Sequence, residues 1–307
     1  LRPTYWPIRS GQTVGQTRLF EDGRFFTTDR RARFVKTGLQ GMVLESTLQY
    51  PLVLNTGRIQ DQWHTMTRTG RSARLQQHRP EVFAEFNPDD LTRLGISDQQ
   101  LVKLSSVRGY CVVRAIANSA QTPGSVFAPI HWNDCFTSAG RVDTLVAPLC
   151  DPVSGQPAFK QTAIKAEVLC SDWQALLIAE KPIDLPENHY WNYRFSDNFH
   201  VYNIEGVQQF NLEFVKQQLP VTDCNIAELF DSSKKVIRLI AYNQTSIYLS
   251  LYVWQARSQQ MSARPDDGWL ISQFVDQSGE KKKRLPIRLL ALGRSPQGNN
   301  EGALICT

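Results

Sequence analysis

Between Thr56 and Pro80 the sequence carries five arginines (Arg58, Arg68, Arg71, Arg74 and Arg79) against one acid, Asp61. Trp63, His64, Thr65, Thr67 and Thr69 are interleaved with them. A guanidinium presents a planar fork of donors that matches two phosphate oxygens at once, and hydroxyl and imidazole groups add neutral partners. Gly57, lacking a Cβ, lets backbone N–H groups come close to a bound group. This set of residues suits an anion with a flat, hydrogen-bonding head. The same composition also suits a solvated basic loop.

Such a loop has to be launched from something rigid. Leu52-Val53-Leu54 reads as a buried strand that ends at Asn55-Thr56-Gly57-Arg58. Residues 82–86 read as a second strand. Asn87 and Pro88 then supply the cap and first position of a short helix, with Asp89 and Asp90 in its first turn and Gly95 at its end. Residues 101–105 and 110–116 form a hairpin about Arg108-Gly109, and residues 126–128 and 162–169 add further strands. Many short strands with few helices predict a mainly β, closed barrel over residues 47–170.

The flanks differ in character. Residues 18–26 read as strand, Asp22-Gly23 turn, strand. Arg30, Arg31 and Arg33 face water, with a cofactor as the alternative. After residue 170 an α+β unit is expected over 171–295. Its helices fall at 173–179, at 206–218, and after Asp266-Asp267, the last carrying Trp269, Leu270, Phe274 and Val275. Its strands fall at 235–242 and 247–254, the second placing Ile247, Leu249, Leu251 and Val253 on one face. Lys281 to Arg284 form either a solvated loop or a docking patch for an acidic electron-transfer partner.

A chain of 307 residues has room for about two domains. With 41% hydrophobic and 21% charged residues it can build an ordinary core. The net charge of +5 is concentrated in one loop and is not spread along a face, which disfavours a nucleic-acid protein. No apolar stretch approaches the ~20 residues that cross a bilayer, so no membrane role is expected. The chain opens on Leu1 and is expected to be a fragment of a longer protein. Its six cysteines show no C-x-x-C pair and are expected to be reduced, mostly buried and cytosolic. His78, His189 and His200 have no evident partner.

The run Thr-Gly-Arg-Ile-Gln-Asp-Gln-Trp-His-Thr at residues 56–65 resembles the strand-end loop of the molybdopterin oxidoreductases, and within them the bacterial nitrate reductases. Asp151-Pro152-Val153-Ser154-Gly155-Gln156-Pro157, followed by Phe159-Lys160, is a second likeness. Phe127 to Asp134 is similar to the assimilatory, cytoplasmic branch. Three matches in order are more specific than any one of them. The resemblance implies a six-stranded double-psi β-barrel over 47–170, preceded by the tail of a catalytic half (1–46). It also implies a smaller α+β interface domain (171–295) and a linker toward a [2Fe-2S] domain (296–307).

It further implies nitrate reduction to nitrite by oxygen-atom transfer at molybdenum, held by two molybdopterin guanine dinucleotides. A [4Fe-4S] cluster would lie in the N-terminal half. Cys306 stands where a first [2Fe-2S] ligand would, but one cysteine cannot hold a cluster that needs about four, so it is expected to be idle in this chain. Thr56, Gly57, Arg58, Gln62, Trp63, His64, Thr65, Thr67, Asn133, Asp143 and Lys160 would then touch the cofactor. His131 and Trp132 would approach substrate, with core packing as the alternative. Asp143 stands where related periplasmic enzymes carry asparagine, so it should face a donor such as a ring N–H. Glu85 is a candidate for reading guanine, with a salt bridge as the favoured alternative. No metal ligand and no catalytic residue is expected in this chain. The implied partners are the N-terminal catalytic half, nitrate, and an electron donor such as an NADH-dependent reductase subunit, ferredoxin or flavodoxin. The competing readings are a formate dehydrogenase with the same barrel, and a basic barrel that stacks single-stranded nucleic acid.

Overall fold

The computed structural model describes residues 3–34, 36, 46–185, 189–196, 199–207, 211–219, 224–232, 235–243, 247–255 and 267–271. Residues 1–42 and 43–307 make two compact units. In the first, residues 18–26 form no strand. Only the turn is present, with the Gly23 N–H on the Phe20 carbonyl at 2.9 Å and the Asp22 carboxylate accepting the Arg24 N–H at 3.0 Å. Phe20 stacks on Phe25 and meets Phe26 edge-on, so a local aromatic cluster replaces the hairpin ladder. Arg33 pairs with Asp29 in solvent.

In the second unit, eight elements lead up to and close a barrel. They are β1 (Leu52–Gly57), α1 (Ala73–His78), β2 (Phe83–Phe86), α2 (Pro88–Leu94), β3 (Leu101–Ser105), β4 (Tyr110–Ala117), β5 (Ser125–Pro129) and β6 (Lys160–Val168). The six strands are ordered β1-β5-β2-β4-β3-β6, and β6 returns to β1. β1 with β5 and β2 with β4 run parallel; the other pairs are antiparallel. Exchanging β1-β2-β3 for β4-β5-β6 maps each neighbouring pair onto a neighbouring pair, so the ring has internal two-fold order. The parallel pairs require crossovers, as the double-psi arrangement expects. Leu52, Leu54, Phe86, Leu104, Val113, Val126 and Ile164 fill the interior without solvent contact. Each contributes roughly 1.5–3 kcal/mol of burial.

α2 starts and stops for the expected reasons. The Asn87 carboxamide oxygen accepts the Asp89 N–H at 2.8 Å, Pro88 opens the helix, and Gly95 closes it in the left-handed region.

Beyond the barrel lies a six-stranded antiparallel sheet ordered β10-β11-β12-β7-β9-β8. Its strands are β7 (Trp173–Ala179), β8 (Tyr190–Ser196), β9 (Phe199–Gly206), β10 (Asn225–Asp231), β11 (Val236–Tyr242) and β12 (Ile247–Gln255). Two short helices accompany it, α3 (Leu212–Lys216) and α4 (Asp267–Ile271). The strand–strand–helix prediction holds for β11, β12 and the start of α4.

The helix predicted at 173–179 is instead a central strand, because its apolar run over 175–179 is buried on both faces. Trp173, Ala175 and Leu177 pack toward Val215 of α3, while Leu176 and Ile178 pack toward Leu270 and Ile271 of α4. The helix predicted over 206–218 shrinks to α3, since Gly206 still belongs to β9. Ile247 leaves the face it was expected to share, because the β11–β12 pairing slips at Tyr242. Phe274, Val275, the 281–284 run and Cys306 lie outside the described residues.

The sheet is stitched to the barrel through β8. Tyr193 N–H donates to the Phe136 carbonyl at 2.7 Å, and Ser138 and Trp191 exchange two bonds at 3.0 Å. This pairing covers an edge strand that would otherwise expose a bare ladder. Beside it, Arg114 of β4 bridges Glu81 at 2.6 Å and Glu205 of β9 at 2.5 Å. Burial opposes the Arg114 charge, but the two carboxylates outweigh it and raise its pKa. No helix among the described residues is long and apolar enough to cross a membrane.

Candidate functional site

The basic loop leaves the end of β1, where three strands converge. Thr56 points inward, buried, and its hydroxyl donates to the Phe159 carbonyl at 2.7 Å. A bulge between Leu54 and Asn55 leaves Gln161 with φ +64°, and next to it the Lys160 ammonium donates to the Thr56 carbonyl. The Asp151–Pro157 motif supplies the turn that brings Phe159 and Lys160 back to β1. The Asp151 carboxylate accepts the N–H groups of Val153 and Ser154 and the Ser154 hydroxyl. Those bonds, the Ser154 N–H first, hold its pKa below the usual carboxylate range. Gly57 is required by a close approach: a Cβ there would meet the Phe127 ring at 2.6 Å.

The loop is then fastened to the segment after β5. Buried His131 accepts the Ile59 N–H on Nε2 at 2.9 Å and faces the His64 carbonyl through Nδ1 at 2.8 Å. Asn133 donates to the Thr65 carbonyl at 3.0 Å and accepts the Cys135 N–H at 2.9 Å. Gly70 sits against Phe136, where a Cβ would meet the ring at 2.6 Å. Met66 between them is buried in the left-handed region (φ +57°), a conformation that costs a branched-free side chain about 1 kcal/mol.

What this scaffold presents is cationic and open. Arg58, Arg68, Arg71 and Arg74 are exposed, and none pairs with a carboxylate among the described residues. The loop's own acid, Asp61, is taken by His78 at 3.0 Å. Trp63 is 59% exposed and meets His64 edge-on. The Thr65 and Thr67 side chains are exposed. Gln62 is buried, its amide reaching the Leu75 carbonyl at 3.4 Å while its Oε1 is left without a partner. A cleft of about 540 Å³ is lined by Thr65, Thr67, Arg71 and Asn133 from the barrel and by Phe136, Tyr193 and Phe195. Phe136 stacks on Tyr193 with centroids 6.0 Å apart.

The structure therefore gathers Thr65, Thr67 and Asn133 at one cleft and places Arg58, Trp63 and His64 on the exposed segment leading to it. Other candidates are arranged differently. His131 and Trp132 are packed in the core, Trp132 edge-on to Phe83, and both ring nitrogens of His131 are engaged by backbone groups. Asp143 lies on a turn at Val142–Leu145, and no hydrogen-bond donor meets its carboxylate among the described residues. Desolvation raises its pKa, and Arg141 partly offsets this.

Glu85 holds Asn118 at 2.8 Å and Gln121 at 3.1 Å, a structural clasp. His78 and His200 do have partners, Asp61 and the Tyr193 hydroxyl (3.0 Å), and His189 meets Trp173 edge-on. Only Cys111 of the described cysteines is buried; Cys135, Cys150 and Cys170 are exposed, and Cys224 is intermediate. Sequence reasoning missed Phe136, Tyr193 and Phe195. The last two arrive from β8, and nothing local to the loop signals them.

Residues 52–163 match the family model described as the Molydopterin dinucleotide binding domain. A nitrate reductase of Klebsiella oxytoca is 37% identical over 63% of this chain and 22% of its own length. The assimilatory nitrate reductase catalytic subunit of Bacillus subtilis is 32% identical over 52% of this chain and 22% of its own. An F420-dependent formate dehydrogenase 1 subunit alpha of Methanococcus maripaludis is 38% identical over 39% of this chain and 17% of its own. The chain thus spans less than a quarter of the length of these relatives.

Proposed function

We propose that this chain, whose residues 52–163 match the dinucleotide-binding family model, is part of a molybdopterin oxidoreductase, and that the loop after β1 grips the pyrophosphate-bearing tail of a molybdopterin guanine dinucleotide. The observation that carries the reading is a set of exposed guanidinium groups without acid partners among the described residues, on a loop fastened to the barrel at His131 and Asn133. The residues present fit such a group. Arg58 and Arg71 match phosphate oxygens, Thr65 and Thr67 offer hydroxyls, and the orphaned Gln62 oxygen is an acceptor awaiting a ring or hydroxyl donor. When bound, the cofactor supplies the redox chemistry. The chain's share is to hold it, orient it and exclude water.

For the longer protein we propose reduction of nitrate to nitrite in the cytoplasm. Its electrons would come from an NADH-dependent reductase subunit, ferredoxin or flavodoxin. The nitrate reductase relatives support this reading, and the formate dehydrogenase likeness supports a second, formate oxidation. Restoring growth on nitrate as sole nitrogen source to a deletion strain separates the two. Binding is tested on the chain itself by calorimetric titration with guanosine diphosphate. A saturable heat is expected, and its absence up to about 1 mM ligand removes the loop from the site.

A further inference from the structure

His131 carries no free ring nitrogen, and the two partners it has decide its chemistry. A backbone N–H can only donate, so the Nε2 that receives Ile59 must hold a lone pair. A carbonyl can only accept, so the Nδ1 that faces His64 must hold the proton. The ring is therefore neutral and in one tautomer. It spans the loop from its second residue beyond β1 to the residue before Thr65, at zero solvent exposure. A protonated ring would turn Nε2 into a donor aimed at a donor.

We propose that His131 is a positioning residue for the anion-binding loop and that its neutral form latches the loop while its protonated form releases it. The inference rests on the reading of this loop as the ligand site for its consequence, though not for the latch itself. Desolvation lowers the His131 pKa below the ordinary histidine value, and the bond to the His64 carbonyl pushes the other way. The titratable and charged groups that face it are His64 and Arg58, both on the loop it holds, and both oppose its protonation. The sign follows from that direction. The latch is intact above the unfolded histidine pKa of about 6.5 and is lost as pH falls through the lower folded value.

Two substitutions divide the latch. His131→Asn keeps a donor near the Nδ1 position for the His64 carbonyl and loses the acceptor for Ile59. His131→Gln places an amide oxygen near the Nε2 position and loses the donor. Neither titrates.

The experiment is amide hydrogen exchange on the whole chain from pH 8 to pH 5, with the barrel amides of β3 and β4 as the internal measure of folding. In the wild type, protection of Ile59 should fall with pH faster than that of the barrel. In His131→Asn it should be about tenfold lower at all pH values. In His131→Gln it should stay high and lose its pH response. Equal protection of Ile59 in the wild type and His131→Asn, or a wild-type pH response that survives in His131→Gln, overturns the latch. Guanosine diphosphate titrated onto the same variants separates the two ideas. Loss of Ile59 protection with no nucleotide binding by any form sustains the latch and removes the ligand reading. Nucleotide binding with unchanged Ile59 protection does the reverse.

Discussion

Arg114 and Glu205 meet at 2.5 Å across the junction between the barrel and the six-stranded sheet, both largely shielded from water. The same guanidinium holds Glu81, to which Tyr190 also donates at 3.0 Å. Removing the one cation leaves two buried carboxylates facing each other. Arg114→Ala should lower stability by about 3–5 kcal/mol, measured by urea unfolding. Glu205→Gln should cost clearly less, since Arg114 keeps Glu81. Equal losses in both variants would show that the cluster does not act through uncompensated charge.

Gly70 is held against Phe136 with no room for a methyl group. Gly70→Ala should cost roughly 1–3 kcal/mol through overpacking. Pairing it with Phe136→Leu should recover part of that loss. Thermal unfolding of the two single variants and the double reads the coupling, which should be non-additive.

Arg58 pairs with no acid among the described residues and lies on the exposed run that leads to the cleft. Arg58→Ala should leave unfolding unchanged within about 0.5 kcal/mol. In the full-length protein it should weaken cofactor retention by about 1.5–3 kcal/mol, the worth of a charged hydrogen bond. Metal content after purification is the readout, and an unaltered molybdenum content would take Arg58 out of the site.

Asp143 is a carboxylate with a raised pKa, from desolvation that Arg141 only partly offsets. A raised value means its charged form is less welcome in the folded chain than in the unfolded one. The burden is absent below the unfolded carboxylate pKa and complete above the raised folded one. Asp143 is exposed, so solvent screens this burden, and Asp143→Asn should raise the unfolding temperature only slightly at pH 7 and less as pH is lowered toward 4. A gain that is the same at both pH values would assign the effect to something other than charge.

Local grammar made much of the barrel legible. Asn87, Pro88 and Gly95 mark α2 at both ends, and Arg108-Gly109 marks the hairpin, because caps and tight turns are decided by neighbouring residues. Residues 173–179 misled because alanine and leucine favour a helix in isolation, whereas the strand identity of β7 comes from β9 and β12 on either side. The site divides the same way. Thr65, Thr67 and Arg58 announce themselves by type and spacing. Tyr193 and Phe195 belong to the cleft only because β8 is stitched to residues 136–138, a long-range fact with no local trace. His131 stood out in the sequence as a candidate for substrate contact or core packing, but its two backbone partners are a long-range fact that no pattern of side chains reveals.

The barrel is sealed by its first and last strands, β1 against β6. Without β6 the ring is an open sheet whose free borders are β1 and β3, and the loop after Gly57 hangs from β1. Only when Lys160 arrives does the ring shut and the Thr56 carbonyl find its ammonium. Closure over such a sequence distance is slow compared with hairpin formation. Newly made molecules should therefore pass through an interval in which the ring is open and its basic loop is not yet set.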